Sequence, residues 1–251
     1  MKSIIFNQRV TIFTNSFIGY SDTRKNIIVS KLGNVEDMGM LQPNFSVMFG
    51  PQQIISPNQI PPNAPWFVNI HGIRIEFQPN KIDIVSNKFV NTKEEECLRL
   101  YELTKLLKEI NEAIPVGSIT RIAYAPSAGL ESTDEISVSD FWKSIIGIPD
   151  LPDSNKQEKM IRYNTPYKQS FGGYQDLTIN RVVTITEGTR TETNTESQND
   201  KTENRTIDCV IVSIDINTHG NEGNFSTDEV KAFCQEAQMR GRELLYVINN
   251  Q

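Results

Sequence analysis

Two histidines, His71 and His219, are all that the 251-residue chain contains. Acid–base and nucleophilic catalysis at neutral pH draws most often on an imidazole, whose pKa lies near neutrality. A Ser-His-Asp or Cys-His arrangement would have to recruit one of these two, and neither sits in a motif around a nucleophile. Cysteine is nearly as scarce. Cys97, Cys209 and Cys234 are an odd count at wide spacing, without a CxxC. This argues against a disulfide framework or a zinc ribbon and leads us to expect reduced thiols in a cytoplasmic setting. Phosphate-loop signals are also missing. Gly220-Asn221-Glu222-Gly223-Asn224 precedes a helix start but has neither the Lys-Ser/Thr ending nor GxGxxG spacing.

Apolar residues are only 37% of the chain, and no run approaches the ~18 residues that span a bilayer. The opening Met1-Lys2-Ser3-Ile4-Ile5-Phe6 meets Asn7, Gln8 and Arg9 too soon for a signal-peptide core, so we expect no membrane partner. The net charge of −6 disfavours nucleic acid, because phosphate contacts dominate that affinity.

What is present reads as a mixed α+β fold: mostly antiparallel sheets with helices packed on one face, arranged as two similar lobes, 1–130 and 131–251, or as one compact unit. Ile4 to Phe13, Asn26 to Leu32 and Phe45 to Phe49 are β-prone. Pro51, Pro57, Pro61, Pro62 and Pro65 mark an extended connection. Trp66 to Phe77 and Lys81 to Val85 alternate apolar and polar residues around Gln78-Pro79-Asn80, which predicts a hairpin, with His71 inside its first strand.

Leu100, Leu103, Leu107, Ile110 and Ile114 form one helical stripe from Lys93 to Ile114. Thr92 and Glu95 are placed to form a capping box, and Pro115 with Gly117 stops the helix. A strand over Ser118 to Ala125 and a short helix over Val138 to Ile146 follow, then a polar, irregular stretch from Asp150 to Tyr167. Leu177 to Thr186 and Thr206 to Ile216 are the strongest strands. The segment 187–205 between them holds no apolar residue and reads as a mobile hairpin tip, cut first by protease. A second capping box, Ser226 with Glu229, opens a helix that Gly241 should end, with a closing strand over Leu244 to Ile248. Each half thus ends strand, capped helix, strand.

Thr120-Arg121-Ile122-Ala123-Tyr124, and Ser213-Ile214-Asp215-Ile216-Asn217 ahead of the last helix, carry a resemblance. In these motifs the chain resembles a sporadically distributed family of bacterial proteins of about this length and uncharacterised function. Asn217 stands where the family pattern has a second acid. The resemblance implies the fold and a bacterial or phage setting, and brings no chemistry.

Asp215, Asn217, His219 and Glu222 alternate off a strand end, a spacing that can converge on a cation. Lys156, Lys159, Arg162, Tyr163 and Lys168 interleave bases with aromatics, a pattern that can track a nucleic-acid backbone. A polar turn and a solvated loop are the ordinary readings of the two sets and the ones we expect. We therefore expect no cofactor and no catalytic residue, and a protein-binding accessory, adaptor or inhibitor subunit of an intracellular complex. The alternatives are a metal-dependent enzyme or hydrolase built on Asp215 and His219, and a nucleic-acid-binding accessory protein. A homo-oligomer is left open.

Overall fold

The computed structural model describes residues 1–33, 35–41, 62–133, 136–146, 160–195, 202–220 and 223–249. In chain order its elements are β1 (Lys2–Thr14), α1 (Asp22–Leu32), β2 (Asp37–Met40), β3 (Trp66–Ile70), β4 (Ile73–Gln78), β5 (Lys81–Ser86), α2 (Lys93–Ala113), β6 (Ile119–Glu131), α3 (Val138–Ile146), β7 (Met160–Asn164), β8 (Tyr167–Phe171), β9 (Tyr174–Thr195), β10 (Thr202–Thr218) and α4 (Thr227–Asn249). The ten strands make one antiparallel sheet in the order β2-β3-β4-β5-β1-β6-β10-β9-β7, with β8 also on β9. β6 pairs with β1 on one side and β10 on the other, so the sheet runs unbroken past residues 130 and 131.

Strand register sorts the side chains into two faces. One row runs Val68, Ile75, Ile84, Val10, Tyr124, Ile216, all opposite one another on successive strands and all buried. α2 and α4 lie on this face and contribute Leu100, Leu103, Leu107 and Ile110, and Val230, Phe233 and Ala237, to a single core. Thr92 and Glu95 form the expected capping box at the start of α2, and Ser226 and Glu229 form the second at α4.

Several expectations are corrected. Asn26 to Leu32 is helical. Ser21 accepts from the Arg24 N–H at 3.2 Å, Asp22 complements the helix dipole, and α1 packs on α2 through buried Ile28. Capping and packing thus outweigh the strand preference of Ile27, Ile28 and Val29. His71 is not within a strand. With Gly72 it makes the two-residue turn between β3 and β4, at φ +49° and +71°, the double positive φ that a tight hairpin requires.

The stretch from Asp150 to Tyr167 is not wholly irregular, since Met160–Asn164 pairs with β9. Much of the segment 187–205 is regular ladder, paired from Glu187 with Val210 to Thr195 with Thr202. Gly241 does not end the last helix, and Leu244 to Ile248 is helical, not a strand. α4 runs on to Asn249, because Leu245 and Ile248 beyond the glycine are buried in the core and their packing carries the helix through it. Phe45 to Phe49, most of the proline-rich connection, Lys156, Lys159 and Glu222 lie outside the described residues.

Candidate binding surfaces

The sheet face turned away from α2 and α4 is polar. At its β4–β5 end the charges are internally matched. Asp83, 3% exposed, accepts from Thr11 and from Gln78 at 3.1 Å and pairs with Lys81 at 2.7 Å; Arg74 pairs with Glu76 at 2.7 Å and lies 3.7 Å over the Phe67 ring.

Asp215, Asn217 and His219 come together on this face, joined through amides. Asn217 Nδ2 donates to Asp215 Oδ1 at 2.9 Å, and its Oδ1 accepts from Arg121 at 2.6 Å and from Asn180 at 3.2 Å. Asn180 Nδ2 also lies 3.2 Å from His219 Nδ1. Arg121 sits 4.8 Å over the Phe13 ring. The carbonyl oxygen that a cation would need thus already holds a guanidinium, whose charge repels a metal ion. This chain of bonds instead braces the ends of β6, β9 and β10. Phe225 also donates from its backbone to Ile119 at 2.9 Å and Gly223 to Thr120 at 3.1 Å, both on β6, while the Asn224 N–H donates to the Tyr174 hydroxyl at 2.6 Å.

The basic–aromatic stretch divides between the two faces. Arg162 is opposite Thr184, and Lys168 opposite Thr178, on the polar side; Tyr163 is opposite Val183, and Tyr167 opposite Ile179, on the helix side. Burial pushes both phenols up from their ordinary pKa. The strand's period of two thus sends the described bases and aromatics of this stretch to opposite faces.

A groove of about 250 Å³ crosses the polar face next to the Asp215 network. Asn7 and Arg9 stand on its β1 side and Arg162 on its β7 side, with Ser127, Ser213 and Thr184 on the floor and Asp215 at its edge. Four strand spacings of ~4.8 Å put its banks ~19 Å apart. Ser127 and Ser213 hydroxyls bond to each other at 3.0 Å. Arg9, Ser127 and Thr184 were not among the sequence candidates. The available signal was the alternation of Arg9 and Thr11 with Val10 and Ile12, which sets a polar face against the core.

The second surface lies on the helices. α2 and α4 run antiparallel. Glu96 meets Arg242 at 2.6 Å near one end, and Lys108 meets Asp228 at 3.5 Å near the other. Cys97 donates to Gln238 at 3.6 Å in the seam between them. Leu100 turns from this seam toward the core, and Glu96 is buried beneath it against Arg242. Leu98 and Met239, each 100° further round its helix, turn away from the sheet. Tyr101 and Tyr246 continue the same outward stripe. These side chains are exposed, Tyr246 at 72% and Leu98 at 59%, with Val247 beside them. Lys231 lies 5.5 Å over the Tyr101 ring.

No protein-family model matches the chain, and no curated protein matches it. No helix among the described residues is long and apolar enough to cross a membrane.

Proposed function

We propose that the chain is a non-catalytic binding protein, an accessory, adaptor or inhibitor subunit that docks a protein partner on its helical layer inside a reducing cell. The observation that carries this reading is the stripe Tyr246–Met239–Leu98–Tyr101. Single exposed apolar residues are ordinary on protein surfaces; grouped on the outer faces of two adjoining helices, they form the kind of patch that partners cover. Tyr at such a patch supplies large contact area with a polar tip, as at the energetic centres of interfaces. Cys97, Cys209 and Cys234 form no disulfide, which suits a reducing compartment. The Asp215–His219 network has its hydrogen-bonding groups turned on one another, which weakens the enzyme alternative.

The test places a photo-crosslinking residue at Leu98, at Met239 and, as a control, at Thr184 on the opposite face, followed by mass spectrometry from native extract. One protein adduct shared by the two helix positions and missing from the control supports the reading. The double variant Leu98→Asp with Met239→Asp should abolish that adduct while the Tm moves little, because such surface changes usually stay within ~0.5 kcal/mol. Equal labelling from both faces, or an adduct that survives the double variant, would overturn it.

A further inference from the structure

We propose that the groove on the polar sheet face is a second binding site, for a small hydroxylated anion: a molecule with a phosphate or carboxylate group beside one or more hydroxyls. This goes beyond the partner-docking reading and rests on the other face of the sheet.

Charge is the first argument. Arg9 and Arg162 face the groove from opposite banks, and among the described residues neither pairs with an acid. Two other guanidiniums on the same face are engaged: Arg74 by Glu76 and Arg121 by Asn217. A chain of net charge −6 therefore keeps at one concavity two guanidiniums that no acid among the described residues neutralises. Guanidinium forks bind phosphate and carboxylate in two-point contacts, which makes an anion the matching ligand.

The floor supplies the second argument. Ser127, Ser213 and Thr184 offer hydroxyl donors and acceptors, while Asp215 keeps one oxygen beyond its bond to Asn217 and only accepts while ionised. A bare anion would be repelled by that carboxylate. A ligand hydroxyl donates to it and turns the same group into a contact. Size is the third. About 250 Å³ is below the ~300–1,000 Å³ of sites for larger ligands, so the occupant is small.

Calorimetric titration with ribose 5-phosphate, ribonate and ribose tests this, and the first two separate a phosphate from a carboxylate source. At least one of the two anions is expected to bind, and ribose to bind at least tenfold more weakly. Arg9→Gln and Arg162→Gln should each weaken the anion at least tenfold. Both side chains are exposed, so the fold should hold, with circular dichroism as the check. Asp215→Asn should weaken the hydroxylated anion while leaving inorganic phosphate equal or tighter. If neither anion binds, or if binding survives the two arginine substitutions combined, the proposal is overturned. The crosslinking test reads the helical face, so either result stands without the other.

Discussion

Trp66→Ala is expected to lower unfolding free energy by about 3–5 kcal/mol, the range for deleting a large buried aromatic side chain. Trp66 is fully buried in β3. Its ring stacks on Phe77 at 4.6 Å between centroids and meets Tyr20 edge-on at 5.7 Å. Its indole N–H donates to the Ile18 carbonyl at 2.9 Å, which ties the segment after β1 to the sheet. Truncation removes the stack and leaves that carbonyl without its donor, so the cavity cost and the lost bond add. In a chain of this size ~1 kcal/mol moves Tm by ~2–4 °C, so a fall of roughly 10 °C should accompany the change. Trp66→Phe separates the two terms, since it keeps an aromatic ring against Phe77 and loses only the indole bond and part of the volume. Urea unfolding followed by circular dichroism measures both. A Trp66→Ala cost under ~1 kcal/mol would mean that this end of the sheet does not unfold with the rest.

Where one local pattern and its surroundings agreed, the sequence was readable. Thr92 and Glu95, the leucine stripe behind them, and the alternation of Ile82 and Ile84 with Asp83 each point one way, and each is found in the structure. Misreading followed where a residue serves a neighbour that sequence order hides. Gly241 looks like a stop signal, but Leu245 and Ile248 beyond it are buried, and that packing carries the helix through the glycine. Ile27 to Val29 look like a strand until Ser21 caps them and α2 covers Ile28. β7 shows no alternation because, at the sheet edge, most of it is exposed on both faces. The polar network was partly legible, since Asp215, Asn217 and His219 alternate along one strand. Its other members, Arg121 and Asn180, come from strands that only the register brings alongside. Of the groove, Arg162 and Asp215 were candidates but the concavity was hidden, because Arg9 and Arg162 face it from β1 and β7, which the strand order sets four places apart.

Arg242→Ala should be destabilising by an amount that depends on pH. Glu96 is 4% exposed on α2; Arg242 reaches it from α4 with Nε 2.6 Å from Oε2, and Gln238 donates to the Glu96 backbone carbonyl at 3.0 Å. Burial pushes the Glu96 carboxyl up from its ordinary value, against the downward pull of Arg242, Gln238 and Tyr124. A raised pKa means that the folded state holds the proton more tightly than the unfolded state does. Its contribution is therefore complete below the unfolded pKa of ~4.3 and is lost as pH rises through the folded value. Removing Arg242 takes away the strongest downward pull, so the folded pKa climbs further and the window of loss widens upward. At pH 7.5 the variant leaves a buried carboxylate without its cation, which costs about 3–5 kcal/mol. Near pH 4.5 Glu96 takes up a proton and the cost should fall by half or more. Glu96→Gln on top of Arg242→Ala should recover most of the loss at pH 7.5, since a neutral amide needs no counter-charge there. Urea unfolding of the wild type, Arg242→Ala and the double variant at the two pH values decides the matter. A cost that is the same at both, or that Glu96→Gln fails to relieve, would show that Arg242 stabilises α4 by packing and by its contacts to Cys97 and the Lys93 carbonyl, and that the ion pair itself contributes little.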